Sequence, residues 1–456
     1  MNPNKLKICY IGGGSRNWAW VFMKDLCFEK EISGAINLYD IDTDAARANE
    51  EIGNRLMTAN GGGWNFKTES SLEKALEGSD FVLISILPGG FEEMAVDVHA
   101  PERYGIYQSV GDTVGPGGLC RALRTIPMYE NIGLAIKKYA SAAWVLNYTN
   151  PMSVCTRTLY RVFPGIKAFG CCHEVFHTQE LLAKAAVREG LADRIDRKEI
   201  ITNVAGINHF TWIDQASWKG VDLFPVFGRF VDEFAESGFS DKEESGLHGY
   251  FRSGERVKMD LFRRYGLIAA AGDRHLAEFC PPQWYLKSAE TAASWQFSLT
   301  PVSWRIEQRE ELIKKSRAFR GGSETMKLER SGEEGIRQIK ALLGLENIVT
   351  NVNLPNRGQM PGFPADAVVE TNAFFSRDSV QPVITNGLPG PLRNLTMQHV
   401  ENQEGIIDAA LGRDLEAAFR VFLNDPQVRT ISCEDARRLF DNMTGSKVRI
   451  GYNSSL

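Results

Sequence analysis

The 456-residue chain has no apolar run approaching the ~20 residues that a membrane-crossing helix needs. It also lacks a basic surplus: 52 Lys+Arg face 57 Asp+Glu, for a formal net charge of −5. Nucleic-acid binders carry the opposite balance, so neither nucleic acid nor membrane is expected as a partner. Cysteine is sparse. Its eight residues, Cys9, Cys27, Cys120, Cys155, Cys171, Cys172, Cys280 and Cys433, are too dispersed to staple a chain of this length and read as thiols of a reducing compartment. Vicinal Cys171 and Cys172 are not expected to bridge, because a disulfide between neighbours is strained. There is no internal repeat and no low-complexity tract. The N-terminus, MNPNKLKICYIGGG, lacks a signal-peptide apolar region followed by a small-residue cleavage site. A cytoplasmic location is the expectation.

What is present is ordinary in bulk, 43% hydrophobic and 24% charged, and long enough for two or three domains or one two-lobed enzyme. Apolar spacing predicts strands over Lys5–Ile11, Ala35–Tyr39, Asp80–Leu87, Ala143–Asn147 and Lys167–Cys171. Between them it predicts helices over Trp18–Glu29, Asp42–Asn60, Leu72–Leu76, Ile126–Tyr139 and Pro151–Tyr160. Such alternation predicts an α/β fold, with a Rossmann-like, doubly wound parallel sheet over residues 1–195. The almost wholly apolar Asp80–Leu87 suits a strand covered on both faces.

From residue 196 to 456 the pattern becomes mixed, and a C-terminal α+β domain is expected. Strand-like Ile200–Ile207 and Phe210–Trp218 flank Asn208-His209. Helices are predicted over Phe251–Tyr265, Ile306–Arg330, Glu334–Leu343 (stopped by Gly344) and Glu401–Leu423, and strands over Asn347–Val352 and Ala367–Asn372. The last of these helices would serve as a subunit contact, and a homo-oligomer, dimer or tetramer, is expected.

Two clusters carry chemistry. The first strand runs into Gly12-Gly13-Gly14-Ser15. In a Rossmann unit the first glycine permits a tight turn, the second admits a pyrophosphate, and the helix N-terminus faces the anion. Gly12 and Gly14 fit those positions, while Asn17 stands where a third glycine is usual. Asp40 closes the second strand, placed to accept from a ribose diol, and its charge favours NAD over NADP. Pro88 follows the strand ending at Leu87, where such folds meet the second half of a dinucleotide. A glycine turn of this kind also occurs with no ligand.

The second cluster is Gly170-Cys171-Cys172-His173-Glu174-Val175-Phe176-His177. A thiolate with an imidazole suits a borderline divalent metal and leaves positions for substrate oxygens. His209, from the polar pair between two apolar strands, is a second imidazole for Cys172. Either residue also has a bland reading: a lone Cys is usually a small buried hydrophobe, and a lone His between strands is usually just hydrogen-bonded.

With these residues in view, the chain resembles glycoside hydrolase family 4, whose members use NAD and usually a divalent metal such as manganese. The likeness covers about residues 7 to 435. It rests on IGGGS (11–15), GDTVGPGG (111–118) with RALR (121–124), NYTNPM (147–152), GCCHE (170–174), GINHF (206–210) and GDRHLAEF (272–279). The CCHEVF form is most similar to the α-galacturonidase group. The resemblance implies that Cys172 and His209 hold the metal and that Asn150 and Asp112 contact substrate. His173 stands where some members carry a proposed general acid. Asp273 matches a proposed base, and His275 the place of a catalytic tyrosine in phospho-sugar members.

The family is an exception to the two-carboxylate glycosidases. The implied route is oxidation at sugar C3 by NAD, C2 deprotonation, elimination and water addition, with the cofactor regenerated. An imidazole at His173 is the candidate to protonate the leaving oxygen. A galacturonide carboxylate asks for a guanidinium fork, and Arg103, Arg121 and Arg274 are the candidates. The substrate would then be a small uronic-acid oligosaccharide or glycoside. α-Glucuronides and neutral α-glucosides or α-galactosides are the alternatives within the family. A hydroxyacid dehydrogenase of the lactate/malate kind is the alternative outside it.

Overall fold

The computed structural model describes residues 1–240 and 253–453, the last eight of them in backbone only. Six strands run parallel: β1 (Leu6–Ile11), β2 (Gly34–Tyr39), β3 (Trp64–Thr68), β4 (Phe81–Ile84), β5 (Trp144–Asn147) and β6 (Lys167–Gly170). Their order, β3-β2-β1-β4-β5-β6, is the doubly wound one with helices on both faces. The expected α/β class holds.

β3 has no counterpart among the predicted elements. Its five residues bury Trp64 and Phe66 and expose Asn65 and Lys67, too short an alternation to stand out beside the preceding glycines. β4 stops three residues before the predicted Leu87. Its neighbour β1 ends in a turn at Gly12, and the Ile86 N–H leaves the sheet to donate to Thr149 Oγ1 (2.9 Å).

The sheet does not end at β6. The remaining strands are β7 (Ile200–Ile207), β8 (Phe210–Trp218), β9 (Val221–Asp222), β10 (Ile268–Ala269), β11 (Ile348–Pro355), β12 (Val368–Ser376) and β13 (Ser379–Pro382). They extend it antiparallel as β6-β11-β12-β7-β8-β10, with β13 on β12 and β9 on β8. Asn353 sits opposite Gly170 at the junction. One apolar cluster spans it, joining Leu146 and Phe169 to Ile348, Val352 and Phe375.

Four predicted helices differ from those observed. The helix expected at Ile126 begins at Gly115, because GPGG reads as loop although Pro at a first helical turn costs nothing. The helix expected to reach Arg330 spans Val302–Gly321, stopped by Gly322 in the left-handed region (φ +76°). The Glu401–Leu423 prediction falls on two helices, Gly390–Leu411 and Leu415–Asn424. Asp414 breaks the run by accepting from the Ala417 N–H as an N-cap. Of the Phe251–Tyr265 prediction, Arg256–Tyr265 is helical, and 251–252 lie outside the described residues. Among the described residues no helix is long and apolar enough to cross a membrane. All eight cysteines are free.

Candidate active site

The parallel strands end on one edge of the sheet, where open α/β folds bind ligands. At the end of β1, Gly12 has φ +90°, and a Cβ there would lie 1.9 Å from the Ser85 carbonyl oxygen. Only glycine lets β1 turn so close to β4. The Gly12 and Gly13 N–H groups donate to the Tyr39 carbonyl (2.9 and 3.0 Å). Ser15 Oγ accepts from the N–H of Trp18, the first residue of the following helix (3.1 Å). Asp40 closes β2. Its carboxylate accepts from the N–H groups of Gly14 (2.8 Å) and Asp42 (2.9 Å), which ties it to the glycine turn. Burial raises its pKa, against those two hydrogen bonds. Pro88 is buried just beyond β4.

Further along the edge, Asp112, His209 and His275 converge, one ligand atom of each lying within 4.8 Å of the others. His209 occupies the two-residue turn between β7 and β8 with φ +65°, an uncommon conformation for a non-glycine residue and a frequent mark of a functional constraint. Its ring stacks on His275 (centroids 3.7 Å apart), and Nδ1 meets Thr113 Oγ1 (3.0 Å). Burial, reinforced by His275, pushes the His209 pKa down to about 3; burial also lowers that of His275. Both imidazoles are therefore neutral near pH 7, the form that can donate a lone pair. His275 Nδ1 is buried without a hydrogen-bond partner. For Asp112, burial alone would raise the carboxyl, but Arg121 and the two imidazoles outweigh it and hold the pKa at about 2. Asn150, preceding cis-Pro151, donates from Nδ2 to Asp112 Oδ2 (3.3 Å), and its carbonyl accepts from Arg121 Nε (3.1 Å).

Cys172 follows β6 and is buried. It lies outside the 4.8 Å group but beside Asn208, the neighbour of His209. Burial, with the Glu370 and Glu174 carboxylates, pushes the thiol pKa well up. His173 begins the helix Glu174–Arg188 and is 34% exposed at its side chain. Its Nδ1 stands 3.4 Å from Glu333, and its ring packs near Trp18 and His177. Glu174 Oε1 is 4.0 Å from both His173 Nε2 and His275 Nε2, and Oε2 accepts from the Gly272 N–H (2.7 Å).

Other expected residues are placed differently. Asp273 is fully buried and accepts from the Val257 (3.2 Å) and Lys258 (3.0 Å) N–H groups, capping the helix Arg256–Tyr265. Burial and the nearby Glu255 push its pKa up to about 7. Arg274 is spent on the chain itself, donating to the carbonyls of Ser298 (3.1 Å) and Ser109 (2.6 Å) and to Thr300. Arg103 stands exposed on the one-turn 3-10 helix Pro101–Tyr104. Of the three arginines offered for a carboxylate, Arg121 stays beside Asp112.

Arg305, in the first turn of Val302–Gly321, joins this corner without a sequence signal. This guanidinium interacts electrostatically with Asp112 and Arg121. Its helix entry docks on the Asp112 loop, since the Thr300 N–H donates to the Ser109 carbonyl (3.3 Å). No motif flags it, because an arginine in a charged helix reads as solvated. Glu278 is a second such residue: its Oε1 accepts from the Val110 (2.7 Å) and Gly111 (2.8 Å) N–H groups and so fixes the loop ahead of Asp112.

Burial pushes the Glu278 carboxyl up to about 7, from 4.5. Between those values the folded state holds the proton that the unfolded state releases. This group's contribution is therefore full below about pH 4.5 and falls as pH rises toward 7, by roughly 3 kcal/mol. Glu278→Gln keeps both accepted bonds and cannot ionise. Thermal melting should show it equal to wild type at pH 4.5 and more stable at pH 8.5. An unchanged difference across that range would contradict the assignment.

Comparison with known proteins adds the following. A model of family 4 glycosyl hydrolases matches residues 7–188, and a model of their C-terminal domain matches residues 204–428. An alpha-galacturonidase of Thermoanaerobacter italicus is 57% identical, with 96% of this chain and 95% of that protein covered. The crystal structure of the protein lplD of Bacillus subtilis is 49% identical, with a TM-score of 0.92, covering 96% of this chain and 99% of that one. A 6-phospho-alpha-glucosidase from gut microorganisms, crystallised with NAD and Mn2+, shares the fold (TM-score 0.81, 20% identity, 98% and 99% covered).

Proposed function

Since the chain belongs to family 4 of the glycosyl hydrolases, we propose that it hydrolyses α-linked galacturonides, with NAD and a divalent metal, manganese first, as cofactors. The observation that carries the substrate is the near full-length likeness to a protein named alpha-galacturonidase. Arg121 and Arg305, both cationic and both near Asp112, supply the charge a uronate carboxylate needs.

The residues fit both cofactors. Gly12 to Ser15 and Asp40 form the turn and carboxylate that would hold the dinucleotide, with Pro88 beyond. The sulfur of Cys172, which would bind as its thiolate, a neutral imidazole at His209 and an ionised carboxylate at Asp112 make a donor set suited to a borderline divalent cation. The Nδ1 of His275, buried with no hydrogen-bond partner, supports a bound group in this corner. When bound, the metal polarises sugar oxygens as a Lewis acid, and NAD supplies a reversible hydride acceptor.

The remaining work falls to side chains. Asn150, turned to Asp112, orients a sugar hydroxyl. His275, kept neutral by burial and next to Glu174, takes the C2 proton at its free nitrogen. His173, exposed enough to meet an aglycone and flanked by Glu174 and Glu333, holds the proton for the leaving oxygen. Asp273, accepting from the Val257 and Lys258 N–H groups, ties the start of the helix that carries His275 to the helix Arg256–Tyr265. We place the protein in the cytoplasm on its free thiols, as a homo-oligomer, with carbohydrate as its partner.

The test is an aryl α-galacturonide assayed beside the α-glucuronide and the neutral α-galactoside, with NAD and manganese. The expected result is release of aglycone from the galacturonide first, with no net NADH. Net NADH accumulation without aglycone would point to a dehydrogenase and remove the proposal. Preference for the neutral sugar would remove the uronate assignment.

A further inference from the structure

Cys172 and His209 lie at the ends of strands that do not touch. β6 leads to Cys172, the β7–β8 turn carries His209, and β11 and β12 stand between. Three inter-strand steps of ~4.8 Å put those strands about 14 Å apart. Holding their ends in a fixed relation needs a cross-member, and three buried polar side chains supply one.

Glu370, on β12, is 1% exposed. Its Oε2 accepts from Thr211 Oγ1 on β8 (2.7 Å), two residues past His209. Its Oε1 accepts from Asn351 Nδ2 on β11 (2.7 Å), and the same Nδ2 donates to the Cys172 carbonyl (3.0 Å). The backbone register puts Glu370 opposite Gly206, just ahead of the turn, and opposite Asn353, which itself faces Gly170 just ahead of Cys172. Contacts thus run without a break from the Cys172 backbone to the strand that leaves His209. Neither proton handling nor hydride transfer uses Glu370, and burying a carboxyl is costly unless its bonds are worth keeping.

We propose that Glu370 is a positioning residue: with Asn351 and Thr211 it forms a strut that sets the spacing between Cys172 and the Asn208–His209 turn, and hence the grip on a divalent cation. This rests on the metal reading given above for those two residues.

Chelator-treated protein is titrated with Mn2+ alone, the free ion being read from its paramagnetic resonance signal. NAD binding and metal-free melting are followed in parallel. Glu370→Leu is expected to weaken Mn2+ binding about 10–100-fold, as loss of such supporting bonds does elsewhere, with NAD affinity kept within about twofold. Glu370→Gln accepts from Asn351 and donates to Thr211, whose hydroxyl can turn to the Ile207 carbonyl 3.0 Å away. It should recover most of the loss. Thr211→Val removes one arm at nearly constant volume and should fall between, and it decides the matter if the leucine variant does not fold. Folded leucine and valine variants that bind Mn2+ like wild type would overturn the strut. So would a glutamine variant as weak as leucine, since charge and not spacing would then be at work. Wild-type protein that takes up no Mn2+ would remove the metal reading itself, an outcome distinct from both.

Discussion

Alanine at His209 or serine at Cys172 is expected to lower kcat/KM on 4-nitrophenyl α-galacturonide by about 10³-fold or more, a rise of roughly 4 kcal/mol in the barrier. NAD affinity should stay near the wild-type value, because neither residue is part of the glycine turn. His209 is held in the left-handed region, where a side chain costs of order 1–3 kcal/mol and persists only when the surroundings demand it. Its Nδ1 meets Thr113 Oγ1 (3.0 Å), which leaves the Nε2 lone pair for a cation beside Asp112 and His275. At Cys172 the difference between sulfur and oxygen is one of softness, since the two side chains are nearly the same shape. Alanine also removes the ring that stacks on His275, so Mn2+ affinity should be measured beside activity. Near-wild-type turnover of either variant in excess chelator would defeat the metal assignment.

Gly12→Ala is expected to cost roughly 3–5 kcal/mol of stability, at the rare end of single substitutions, and to abolish measurable NAD binding. Two independent penalties coincide there. Alanine has to adopt φ +90°, and its Cβ would stand 1.9 Å from the Ser85 carbonyl oxygen and 2.7 Å from the carbonyl carbon. Ser85 cannot step aside, because its N–H donates to the Ile11 carbonyl (2.9 Å) and so belongs to the β1–β4 pairing. Relief would require β1 and β4 to part, which would dismantle the turn facing the cofactor. Melting and NAD titration read the two effects separately. A variant that melts like wild type and binds NAD would show that the turn tolerates what its geometry forbids.

The local parts of this molecule were readable from residue order, and the non-local ones were not. β1, its glycine turn, the helix after it and Asp40 follow from spacing and from what glycine alone permits, and they lie where that reasoning put them. Cys172 and His209 stood out because polar residues ended apolar strands. The sheet running on through β11 and β12 was not readable, since pairing between residues 170 and 353 leaves no mark in either segment. Arg274 was offered as a carboxylate partner for its place in a motif, yet its guanidinium is consumed by carbonyls of loops far away in sequence. Asp273 likewise faces two backbone N–H groups that only the fold brings to it. Arg305, Glu278 and Glu370 act through burial and partners. Their types and spacing match those of ordinary surface charges and strand residues, and so gave no signal.

The junction at Asn353 and Gly170 has a consequence for how this molecule handles traffic. Many nucleotide-dependent enzymes swing two lobes about a hinge to admit and seal their cargo. Here both halves are woven into one frame, with Phe169 and Phe375 packed edge to face across the seam (5.2 Å between rings). No cleft can open along that line without tearing apart a shared interior. Entry and exit are then expected at the connections rimming the sheet, and acceptance of bulkier leaving groups is expected to follow changes in those connections.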